Sequence, residues 1–133
     1  MTHYSQFTLN TKSEGLHVIT RQIAAAIADS GVRSGLCVAY CPHTTAGLTI
    51  NENADPDVAR DMLYALGEIS PDQGAFRHIE GNSAAHVKAS LLGSSVTLIV
   101  RDGRPVLGTW QGIYFCEFDG PRTRSVHVQV VGE

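Results

Sequence analysis

The chain has no apolar run long enough to cross a bilayer. Its longest largely apolar stretches, such as Val96–Val100, fall far short of the roughly 20 residues a spanning helix needs. Residues 1–20 hold no basic segment followed by an apolar one, so no secretory signal is read there. Charge is sparse at 17%, the net charge is −3, and no basic stripe with interleaved aromatics exists, which speaks against nucleic acid as a partner. Cysteine is scarce too. Cys37, Cys41 and Cys116 are an odd number without a C-x-x-C pair, which fits a reducing compartment rather than a disulfide framework. On one strand Cys37 and Cys41 lie about 13 Å apart, beyond bridging distance, so the cysteines are expected as small buried apolar side chains. No G-x-G-x-x-G loop, P-loop or H-E-x-x-H helix is present, and no nucleotide cofactor is expected. These absences leave a cytoplasmic protein with no membrane partner as the expectation.

What is present suffices for one folded domain over 1–133. Apolar residues make up 43% of 133, and a chain of this mass can bury roughly two-thirds of its unfolded surface. Thr20–Ser30 reads as a helix: Ile19, Ile23 and Ile27 recur every four residues and Gly31 stops it. Asp55–Ile69 reads as a second, capped by Asp55 with Pro56 at the first helical position and Val58, Met62, Leu66 and Ile69 on one face. Ser83–Leu92 is a shorter third, with Ser83 as cap. Strands are expected at Tyr4–Asn10, Gly35–Tyr40, Gly47–Asn51, Val96–Arg101, Val106–Trp110, Ile113–Phe118 and Ser125–Val131, with Asp102-Gly103 as a hairpin turn. Helices in the first two-thirds and strands clustered at the end indicate an α+β fold.

The segment Asn51–Asp57 superficially resembles a calcium loop. Pro56 stands where the turn needs glycine and Met62 where a bidentate Glu belongs, so it reads as a polar turn into a helix cap. Of six histidines, His3, His17 and His127 are expected at the surface. His43, His78 and His86 stand in polar, turn-like company, and imidazoles are both common metal ligands and acid–base groups near neutral pH. Lys88, Arg122 and Arg124, the hydroxyls of Thr44 and Thr45, and the helix start at Ser83–Ala85 are compatible with a phosphorylated small molecule. Trp110–Phe115 reads as sheet core. Glu117 and Asp119 lie beside a turn, where either can accept a hydrogen bond from a ligating histidine or from Arg122.

Taken in order, several stretches resemble the YjbQ-like family, often called secondary thiamine-phosphate synthase. They are Pro42-His43-Thr44-Thr45-Ala46 with Thr49–Val58, Arg77-His78 with Glu80-Gly81-Asn82, Ala85–Leu91, Leu107–Ile113, and Glu117–Arg122. The match spans nearly the whole chain; Ile79 and Ser83 depart from it, standing where relatives often carry acidic residues. The resemblance implies a small β-sandwich of about seven to eight mostly antiparallel strands with two to three helices. It also implies a homotrimer with its site near His43, His78 and His86. The family's named activity, as a main or a side reaction, joins a hydroxymethylpyrimidine diphosphate to a thiazole phosphate and releases pyrophosphate. In that reading His43, His86 and Glu80 are catalytic, and Thr44, Thr45, Asn82, Lys88 and Arg122 bind substrate. A divalent metal, zinc or magnesium, falls to His43, His78 and His86, and three imidazoles suit zinc better than oxygen-loving magnesium. Two other readings stand beside it: a zinc-dependent hydrolase of a small phosphorylated metabolite, and a non-enzymatic trimeric ligand-binding module.

Overall fold

Alternation of side chains with period two builds most of the molecule. The structure, a computed structural model, describes residues 1–133. Strands β1 (Thr2–Asn10), β3 (Ser34–Tyr40), β5 (Ser95–Arg101), β6 (Arg104–Pro105) and β8 (Thr123–Gly132) form an antiparallel sheet ordered β1-β8-β3-β5-β6. A second antiparallel sheet is ordered β2-β7-β4, from β2 (Gly15–Val18), β7 (Gln111–Glu117) and β4 (Ala46–Glu52). Helices α1 (Thr20–Ser30), α2 (Pro56–Ile69) and α3 (Ser83–Leu92) complete the chain. The α+β class and the small sandwich of eight strands with three helices agree with expectation. No helix is long and apolar enough to cross a membrane.

The main core lies between the sheets. Val126, Val128 and Val130 of β8 and Cys37 and Ala39 of β3 meet Leu48 of β4 and Ile113 and Phe115 of β7, while Ile19, Ile23 and Ile27 close the cluster from α1. A smaller core lies on the far face of β7, where Tyr114, Cys116 and Phe118 pack under Ala85 and Ala89 of α3 and Leu63 and Leu66 of α2. Being covered on both faces, β7 reads in sequence as a continuous apolar run rather than an alternation. The outer face of the five-stranded sheet has no such cover.

Two local devices set α3 against β4. Gly47 is one: a Cβ there would meet the Gly93 carbonyl oxygen at 2.7 Å, so only glycine allows the helix end this close. The other is the Leu48 N–H, which donates to that same carbonyl at 3.1 Å. Asp102 and Gly103 both take positive φ, 53° and 71°, the conformation of the two-residue hairpin their sequence announces.

Four expectations need correction. Val106–Trp110 is not a strand: pairing ends after two residues at Pro105, and the Gln111 N–H turns back to the Gly108 carbonyl at 3.1 Å. Trp110 is 63% exposed and not part of the sheet core. Strand β2 was not expected, since four residues with a central His17 carry no periodic signal. The cap of α3 is Asn82, not Ser83, and its side chain makes no cap bond because it is turned to Asp119.

Candidate functional site

His43 lies in the short link between β3 and β4, and the chain there is tightly held. The Cys41 N–H donates to the Ser94 carbonyl at 2.7 Å, and His43 Nε2 accepts the Ser125 backbone N–H at 2.9 Å. A neutral imidazole has one lone pair and one N–H, so this bond places the proton on Nδ1. Burial and the nearby Arg124 charge both hold the His43 pKa below 6.5. At neutral pH His43 is therefore an uncharged donor through Nδ1.

His86 sits in the first turn of α3 and is half-buried. His78 and Glu80 lie within residues 71–81, the exposed part of the link that joins α2 to α3. The His78 and His86 rings meet edge to face with centroids 5.5 Å apart, and Glu80 stands 3.9 Å from His78 Nε2. His43, His78 and His86 together line a cavity of about 350 Å³ with Glu80, Asn82 and Thr44. The structure thus brings the three histidines together, while His17 and His127 lie elsewhere, on β2 and β8.

Two arginines complete that cavity. Arg122 is exposed and folds back on its own turn, donating to the Asp119 carbonyl at 2.7 Å and to its carboxylate at 3.0 Å. Arg124 is only 5% exposed. Its Nε donates to Glu117 Oε1 at 2.7 Å and its Nη2 to Glu117 Oε2 and, at 2.8 Å, to Thr45 Oγ1. Thr11 Oγ1 also donates to Glu117. Burial alone would raise the Glu117 pKa, but these hydrogen bonds and the arginine charge outweigh it and hold the carboxyl below 4.5. Glu117 therefore serves Arg124, and Asp119 is the partner of Arg122.

The pairing of Arg124 with Glu117 was missed by reading each residue singly. A signal was present: Arg124 shares the parity of Val126, Val128 and Val130, and Glu117 that of Ile113 and Phe115. Both point into the sandwich, where a charge persists only with a partner.

The YjbQ-like family model, described as UPF0047 protein YjbQ-like, matches residues 5–133. The chain is 54% identical over 123 residues to the UPF0047 protein YugU of Bacillus subtilis, covering 92% of this chain and 93% of that one. It belongs to the YjbQ/UPF0047 family. Another UPF0047 protein, MJ1081 of Methanocaldococcus jannaschii, is 54% identical over 92% of this chain and 88% of its own. Among solved structures, a family protein of Clostridium acetobutylicum superposes with a TM-score of 0.93 at 52% identity, covering 96% of this chain and 99% of that one. A YbjQ-like protein of unknown function from Sulfolobus solfataricus reaches 0.94 at 31% identity, covering 100% and 99%. These names establish fold and family and carry no activity.

Within this YjbQ-family chain, two expected site residues take other parts. Lys88 is 7% exposed but lies in a separate cavity of about 300 Å³, 3.6 Å from Glu14 and over the face of Phe118. Thr45 reaches the histidine cavity mainly as a hydrogen-bond acceptor for Arg124. Asn82 divides the two cavities: its Nδ2 donates to Asp119 at 2.8 Å, and its buried Oδ1 has no partner. A metal held by all three histidines does not fit this arrangement, because His43 has no lone pair left for it. His78, His86 and Glu80 keep theirs.

Proposed function

We propose that the protein is an enzyme acting on a small phosphorylated metabolite, with the synthesis of thiamine phosphate as the reaction to test. The observation that carries this reading is Arg124. A guanidinium this buried is held by Glu117 and Thr45 through Nε and Nη2, and the residue lines the three-histidine cavity, so its position is fixed and its Nη1, which has no protein partner, is left for whatever binds there. Preorganised cations in a sheltered pocket stabilise a phosphate oxygen that gains charge, at no cost of rearrangement during reaction.

In that reaction the thiazole nitrogen attacks the methylene carbon of the pyrimidine, a C–N bond forms, and the C–O bond to the diphosphate breaks. Its electron pair leaves on the diphosphate oxygen. Arg124 and Arg122 neutralise the leaving group, and the His43 Nδ1–H donates to it. Thr44 and Asn82 orient it, and His86, whose ring has no protein hydrogen-bond partner, acts at the reacting carbon's side of the pocket. A divalent ion carried in with a diphosphate would supply further charge neutralisation; no three His or Glu side chains of the cavity stand as a ready ligand set, so the diphosphate oxygens would be its main ligands and His78 or Glu80 would add to them. A zinc-dependent hydrolase needs three protein ligands at one ion, and the engaged Nε2 of His43 weighs against that alternative.

We further propose that the working form is a homotrimer. The uncovered face of the five-stranded sheet supports it, with Tyr4, Leu36, Val38, Tyr40, Ile99 and Val131 each at least 40% exposed. Apolar patches of this kind mark association surfaces.

The test is thiamine phosphate formation from the two phosphorylated halves, by wild type and His86→Ala side by side. The reading expects turnover in the wild type and a loss of about 100-fold or more in the variant. Equal turnover in both, or none in either, overturns the synthase assignment.

A further inference from the structure

Two cavities meet at one pair of histidines. The polar one described above is lined by polar and charged residues apart from Pro42. A second, of about 510 Å³, lies against it, and His43, Thr44 and His86 line both. The rest of its wall is Ala46, Ala89, Ser90, Gly93 and Ser94, all small and uncharged. Two of its backbone carbonyls are already in use: that of Gly93 takes the Leu48 N–H and that of Ser94 takes the Cys41 N–H. The Ser90 hydroxyl is turned to the His86 carbonyl at 3.0 Å.

We infer that this second cavity is the subsite for the uncharged, flat body of the substrate, with the phosphate on the arginines and the link between them at His43 and His86. The inference rests on the phosphate pocket proposed above and assigns what binds beside it. Charge decides the orientation. A phosphate in the small-walled cavity would meet no cation, whereas the polar cavity holds two arginines whose Nη1 groups take no protein partner, against the one carboxylate of Glu80. Small side chains decide the shape, since they leave backbone and methyl surface against which a ring can lie flat. Spacing decides which residues set the size limit: His86, Ala89 and Ser90 stand three and four residues apart on one helical face. Ser90 and Ser94, being exposed, can change without disturbing the core.

The experiment compares inorganic phosphate with phenyl phosphate by calorimetric titration. At about pH 8 both are largely dianions, and only the second has a ring. Burial of the ring predicts phenyl phosphate binding roughly tenfold tighter than phosphate in the wild type. In Ser90→Phe, and independently in Ser94→Phe, a ring of the protein's own occupies the cavity, so this gain disappears while phosphate affinity stays unchanged. A wild type that prefers neither probe, or variants that keep the gain, overturns the subsite and leaves the phosphate pocket standing. Absence of binding by both probes overturns the subsite and the phosphate pocket together.

Discussion

Arg124 and Glu117 form the costliest pair of charges in the chain to bury, and they are worth more to the site than to stability. Glu117 is wholly buried and gives both carboxylate oxygens to the guanidinium. Glu117→Gln leaves that guanidinium without a counter-charge, and a loss of about 3–5 kcal/mol is expected in urea denaturation. Replacing both partners by Leu should recover most of this, because a buried pair often does no better than apolar groups of similar size. Phosphate binding should nonetheless be lost in the double variant, which separates the two roles. His43 gives a pH dependence at the same scale. Its folded pKa lies below the unfolded value of 6.5, so the unfolded chain binds more protons between the two. Stability is complete above pH 6.5 and declines as pH falls through the folded value. His17, whose pKa burial also lowers, acts in the same direction. Melting temperatures measured downward from pH 7 should fall, and His43→Asn should flatten part of that slope.

Elements differ in how far their sequences declare them. Helix α1 and strands β3, β5 and β8 follow their periodicities to within two residues of the expected bounds. Within Asn51–Asp57 the polar turn is confined to residues 53–55, between the end of β4 and the start of α2, and it is capped by Asp55 Oδ1 accepting the Asp57 N–H at 2.9 Å. Helix α2 has no fully buried residue, so it depends on this cap more than a core helix would. Asp55→Ala should cost about 1 kcal/mol and raise amide exchange through α2 while leaving β7 and β8 protected. Strand β2 could not be read from sequence because its register comes from pairing with β7, a partner nearly 100 residues away. The cap of α3 was misplaced for a related reason: Asn82 prefers a long-range bond to Asp119 over a local one. The candidate site shows the same division. The three histidines stood out by their polar company, but Lys88 gave no hint that α3 would carry it to the opposite side of Asn82.

Considered whole, the molecule exposes 7677 Å², against about 6,800 Å² for a compact monomer of its mass. Part of that excess is the apolar outer face of the five-stranded sheet. Leu36 lies directly across from both Ile99 and Val131, so these exposed side chains form one continuous strip. A homotrimer is expected in light scattering at micromolar concentration, and Val38→Asp at the centre of that face should yield monomers that stay folded. A monomeric wild type would contradict the proposed assembly. For the cavity itself, the six histidines offer an internal comparison. Phosphate should be titrated into the protein while the imidazole resonances are followed by NMR, each assigned from its His→Gln variant. Binding in the cavity predicts saturable shifts of His43, His78 and His86 together, with His3 and His17 unmoved. Equal drift of all six, or no saturable shift of the first three, would contradict it.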